Sequence, residues 1–115
     1  MARFRLSGPA RADIAHILAT SAERWGVETK RRYAAILAAA MRKVATDPKG
    51  PTTQERGDLL PTIRSFHIRH ARGHDAEARV GRPVHILYYR VIEPGLIEIV
   101  RVLHDRMEPS RHMTD

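Results

Sequence analysis

Val84-His85-Ile86-Leu87-Tyr88-Tyr89-Arg90-Val91-Ile92, then Glu93-Pro94-Gly95, then Leu96-Ile97-Glu98-Ile99-Val100-Arg101-Val102-Leu103-His104 is the stretch that decides the fold. Two runs rich in β-branched and aromatic residues flank a short break in which Pro and Gly sit as a tight turn requires. The pattern predicts an antiparallel hairpin. If Ile92 faces Leu96, then Arg90 faces Glu98 and Tyr88 faces Val100. The opposite charges support that register, because such pairs contribute only about 0.2–1 kcal/mol but like charges would oppose it. Both faces are largely apolar, which places the two strands centrally in a sheet. In this register Arg101 shares a face with Leu87, Val91, Ile99 and Leu103, the side expected to lie under helices. A partly buried Arg paired to a carboxylate or to carbonyls is its expected state. His104 falls on the opposite, more open face.

Outward from the hairpin, Ile63 to His70 reads as a further, less regular strand, and residues 71–82, rich in charge and Gly, as an irregular excursion. Residues 49–61 hold Gly50, Pro51, Gly57 and Pro61 among few apolar positions and read as a loop. Arg3-Phe4-Arg5-Leu6 alternates as a short edge strand does. Ser7 then caps a first helix with Pro9 in its first turn, where a missing N–H costs little. Ile14, Ile17, Leu18, Ala22 and Trp25 make its apolar stripe, and Gly26 is its expected left-handed cap. A second helix spans about Glu28 to Thr46, its stripe being Tyr33, Ile36, Leu37, Ala40, Met41 and Val44, until Asp47-Pro48 stops it. Trp25 and Tyr33 are expected in the core, closing the helical hairpin. The fold class is therefore α+β: a helical hairpin on one face of a four-stranded, mainly antiparallel sheet, in the order β-α-α-β-β-β.

The 115 residues suit a single domain, 1–115, with 105–115 as a C-terminal tail. There is no cysteine, hence no disulfide framework or thiolate metal site. No apolar run reaches the roughly 18 residues of a membrane span, and Met-Ala-Arg-Phe-Arg-Leu-Ser lacks the pattern of a secretory signal. A cytoplasmic protein without membrane contact is expected. The net charge of +7 is uneven: residues 1–50 hold ten Lys/Arg against four Asp/Glu, and residues 51–115 hold ten Arg against nine Asp/Glu. A basic half of this kind suits nucleic acid or an acidic protein partner.

His67, His70 and His74 raise a metal site, but residues 67 and 70 of one strand point to opposite faces and no carboxylate completes the set. No metal is assigned. No Gly-rich phosphate loop is present, so no cofactor is expected.

The tail adds a second kind of information. Arg101-Val102-Leu103-His104, then Met107-Glu108, then Arg111-His112 closely resembles the C-terminal signature of the ParE branch of the RelE/ParE toxins, roughly R-V-L-H-x-x-M-D-x-x-R-H, with Glu108 in place of the Asp. Leu6-Ser7 with Ala10, Ala12 and Asp13 resembles the family's opening strand and helix, and Glu23-Arg24-Trp25-Gly26 its helix end. Ile63-Arg64-Ser65-Phe66 and Leu87-Tyr88-Tyr89-Arg90-Val91 are similar to its second and third strands. The likeness runs over roughly residues 4–113.

The resemblance implies a toxin of a type II toxin–antitoxin system. Two activities belong to that superfamily: poisoning of DNA gyrase by protein contact, and ribosome-dependent cleavage of messenger RNA. Cleaving RNA through its 2′-hydroxyl needs a base, an acid and cations for the developing phosphorane charge. The chain has no Lys after residue 49 and no Tyr after Tyr89, and Ile86 stands where related nucleases often place an Arg. The toolkit is incomplete, which favours a gyrase inhibitor over an enzyme. Arg64, Arg69, Arg101 and His104 are the candidates if the chain is a nuclease. For target binding the candidates are His104, Arg106, Arg111 and His112. For the antitoxin they are Arg31, Arg42 and Lys43, on the basic outer face of the second helix. The implied partners are a ParD-like antitoxin in a hetero-oligomer and DNA gyrase, with its A subunit as the expected contact. Direct nucleic-acid binding is not expected.

Overall fold

A computed structural model of the chain describes residues 2–71 and 82–113. The elements run β1 (Arg3–Leu6), α1 (Gly8–Trp25), α2 (Val27–Thr46), β2 (Thr53–Glu55), β3 (Arg64–His67), β4 (His85–Glu93) and β5 (Leu96–His104). One sheet forms in the order β1-β5-β4-β3-β2, parallel only between β1 and β5. It has five strands rather than four, because Thr53–Glu55 within the expected loop pairs with Arg64–Phe66. Three polar residues carry no alternation that sequence reading detects; pairing alone makes them a strand. The strand expected over Ile63–His70 ends at His67, where Ile68–Ala71 turns into a 3-10 helix. Most of the expected excursion at 71–82 lies outside the described residues.

Ser7 caps α1 by accepting from the Ala10 N–H at 3.0 Å, with Pro9 in the first turn. Gly26 is the whole link between α1 and α2. Its φ is positive at 93°, as expected, but its ψ of 170° makes it extended rather than left-handed. That region is essentially closed to residues with a Cβ. The expected α2 stripe is the buried one: Ile36, Leu37, Ala40 and Val44 are at 0–1 % exposure. They pack with Phe66, Leu87, Tyr89, Ile97, Ile99 and Val102 to form the main core.

Trp25 is not part of that core. It is 70 % exposed at the hairpin tip, beside Val27 at 77 %. Without intervening loop residues, the helices turn back before the last position of α1 finds anything to cover it. Tyr33 does close the hairpin: its hydroxyl donates to His85 Nδ1 at 2.6 Å and accepts from the Val84 N–H at 3.1 Å.

Between β4 and β5, Arg90 faces Glu98 as expected, at 2.8 Å between Nη2 and Oε1. The register then slips: Tyr89 pairs with Ile99 and Tyr88 with Arg101, leaving Val100 as a bulge. A bulge inserts one residue and exchanges the faces of everything beyond it. Arg101 and Leu103 therefore join Tyr88 on the face away from the helices. His104 falls opposite His85 on the helix side, reversing the expected assignment of Arg101 and His104.

Candidate functional site

Beyond Ile99, β1 no longer covers the edge of β5, so backbone groups there need other partners. Side chains of α1 supply them. Ser7 Oγ donates to Val100 O at 2.7 Å, and Asp13 Oδ2 accepts from the Val102 N–H at 2.9 Å. The same carboxylate is gripped by Arg101 through two hydrogen bonds of 2.8 Å, from Nε to Oδ2 and from Nη2 to Oδ1. The bidentate pair holds the guanidinium above the usual Arg range. Its remaining arm, Nη1, donates to His112 O at 2.7 Å. Arg101 is thus the expected structural Arg, reached from the opposite face, and it ties α1, β5 and the tail together.

The tail is built, not frayed. The Asp105 N–H donates to Val84 O and the Met107 N–H to His104 O. Glu108 caps a 3-10 turn at Pro109–Arg111 by accepting from Ser110. Met113 then drops to 8 % exposure against Ile63, Tyr88 and Leu103, a second, smaller core on the outer face of the sheet. The turn carries Arg106 and Arg111 outward, and neither side chain makes a hydrogen bond or ion pair among the described residues.

A cleft of about 660 Å³ opens between α1, the start of α2 and the end of β5. Ile17 and Val102 give it an apolar floor, and Trp25 and Met107 stand at its rim. His16, His85, His104 and His112 line it with Arg24 and Arg82, whose side chains have no partner among the described residues. Burial, reinforced by the neighbouring His104, pushes His85 down to about 4. The two rings meet edge to face at 5.5 Å. On the far side, His67 Nδ1 accepts from the Arg69 N–H, so Nε2 donates to Asp105 Oδ2 at 3.0 Å, and this bond lowers the Asp105 carboxyl. Such a cleft suits a segment with an apolar anchor and acidic flanks.

The four nuclease candidates do not converge. Arg64 donates to Pro48 O and Thr53 Oγ1 and braces β2 against the end of α2. Arg69 is exposed on the 3-10 turn, and of the two that line the cleft, Arg101 and His104, the first is committed to Asp13. Of the antitoxin candidates, Arg31 binds Glu28 of its own helix. Lys43 donates to His70 O and lies 6.0 Å from the Phe66 ring centroid, and Arg42 is exposed. Among the described residues no three His, Cys, Asp or Glu are placed to hold a metal, and no helix is long and apolar enough to cross a membrane. His74 is outside them. Sequence reading gave no role to Asp13 or to the Tyr33–His85 bond. An Asp beside the apolar Ile14 on α1 was the available signal.

Residues 4–109 match the family described as ParE toxin of type II toxin-antitoxin system, parDE. Toxin ParE1 of Mycobacterium tuberculosis is 31% identical over 111 residues, covering 96% of this chain and 97% of its own. Toxin ParE1 of Caulobacter vibrioides is 33% identical over 114 residues, covering 98% and 99%. A solved structure titled as the chromosomal ParDE TA system from P. aeruginosa shares the fold at a TM-score of 0.64 and 16% identity, covering 90% of this chain and 96% of that one.

Proposed function

The chain belongs to the ParE toxin family of type II toxin–antitoxin systems, and from that premise we propose that it inhibits DNA gyrase by protein contact and is neutralised by a ParD-like antitoxin. The observation that carries the reading against RNA cleavage is the engagement of Arg64 and Arg101. Two of the three Arg candidates for a nuclease are held in internal bonds. A protein inhibitor needs no base, acid and cation in one place. It needs a presented surface, and the tail offers one in Arg106 and Arg111. The gyrase A subunit is the proposed contact and the cytoplasm the proposed compartment.

The antitoxin segment proposed here is acidic and amphipathic, and it orders on binding. The cleft and Trp25 give it an apolar anchor, and Arg24 and Arg82 give it charge complementarity. The product is a toxin–antitoxin hetero-oligomer. Purified chain added to gyrase should stall supercoiling, while ribosome-programmed messenger RNA stays intact. Ribosome-dependent cleavage with supercoiling untouched would reverse the choice.

A further inference from the structure

We propose that Arg101 is a positioning residue for toxicity: it fixes the tail so that Arg106 and Arg111 are displayed in one geometry, and it does not itself meet the target. The proposal rests on the toxin reading above and names the device that makes the tail effective.

Three observations support it. The guanidinium is only about one-fifth exposed, and all three nitrogens donate internally, two to Asp13 and one to His112 O. Three of its five N–H donors, one on every nitrogen, are engaged inside the domain, which fixes the plane of the group and turns it inward. The bond to His112 O falls at the point where the tail returns to the domain, one residue before buried Met113. At its other end the tail is fastened by the Asp105 N–H on Val84 O and by Asp105 on His67. The segment between is a closed loop with two anchors, and Arg106 and Arg111 stand on its exposed side. Release of the Arg101 anchor frees the loop at one end and spreads its two cations over many placements.

Lysine at 101 separates the two duties. An ammonium on a flexible stem keeps an ion pair with Asp13 but lacks the planar fork that binds Asp13 at two points and His112 O at a third. Met113→Ala loosens the same end of the tail without touching Arg101. Hydrogen exchange of the Arg111 and His112 amides, which bond to Glu108 O and Pro109 O, reports tail order directly.

In the full-length chain, Arg101→Lys should exchange those two amides at least about tenfold faster, the factor carried by one charge-assisted hydrogen bond. Growth inhibition should fall in proportion. Met113→Ala should reproduce both losses, and the double variant should lose little more than the worse single. Lost inhibition with unchanged tail exchange would mean that Arg101 meets the target itself. Accelerated exchange with full inhibition would mean that tail placement is irrelevant; either outcome overturns the proposal. A parent that arrests growth but leaves supercoiling intact sinks only the gyrase reading.

Discussion

The two faces of the sheet are held by different means. The helix face is a continuous apolar layer in which α2 supplies a full stripe and the strands supply Leu87, Tyr89, Ile97, Ile99 and Val102. Among the described residues the outer face buries a smaller apolar cluster, Ile63, Tyr88, Leu103 and Met113, and its covers are the loop around Leu59 and Leu60 and the returning tail. The first face depends on packing that extends along a whole helix. The second depends on a few side chains pinned by polar bonds, Arg101 chief among them. Stability is concentrated on one side, and the surface assigned to the target is mounted on the other.

Leu37→Ala should give the largest effect, about 3–4 kcal/mol of unfolding free energy, because a fully buried leucine leaves a cavity that the rigid helix–sheet layer cannot fill. Leu103→Ala, equally buried, should cost about 2 kcal/mol, since a loop and a tail can settle into the space. Equal losses in chemical denaturation would abolish the contrast between the faces.

Removing residues 106–115 should come next, at about 2–3 kcal/mol. The sequence alone suggests a cost of only about 1–2 kcal/mol for a surface element. The structure raises it, because truncation uncovers Tyr88 and Leu103 and leaves Nη1 of Arg101 without its carbonyl. A truncated chain as stable as the parent would show that the outer face contributes nothing.

Acid should weaken the helix face at its Tyr33–His85 seam. His85 titrates near 4 in the fold against an ordinary 6.5. Between those values the unfolded chain takes up a proton that the folded chain does not, so stability falls as pH drops from 6.5 towards 4. After allowance for its partial exposure the loss is about 2 kcal/mol. The lowered Asp105 carboxyl acts in a later window: its contribution is present above the ordinary 3.8 and is lost below it. Unfolding at stepped pH should show the upper slope in the parent and a flatter one in His85→Gln.

Trp25→Ala should have the smallest effect on the fold, under about 0.5 kcal/mol, because the ring is mostly in water. Its effect on antitoxin capture should instead exceed about tenfold, as for an interface aromatic anchor. A destabilised Trp25 variant that still binds fully would return the residue to the core role read from the sequence.

Much of the fold was legible because α2 and the β4–β5 hairpin carry strong periods: every apolar position of the α2 stripe is buried, and Arg90 meets Glu98 as charge pairing required. The failures share a cause, in that each depends on contacts distant in sequence. β2 exists only through its pairing with β3, Trp25 has the spacing of a core residue but no neighbour to cover it, and nothing in β5 announces the extra residue at Val100. For the site, the residue types of the tail were legible and so was Arg101's need for a carboxylate. Which carboxylate, and from which face, depended on the slip.

That slip gives β5 a parity. Each strand position belongs to one of two sides by odd or even count, and the bulge at Val100 resets the count midway, so the strand carries two half-strands in opposite phase. Ser7 Oγ holds the reset in place through Val100 O. A ladder kept in step through Val100, without the slip, would turn Arg101 towards the helices and His104 away from them; the slip is what sets Arg101 opposite Tyr88 and His104 opposite His85. The extra residue acts less like a defect than like a shift of reading frame, setting the address of every side chain that follows it.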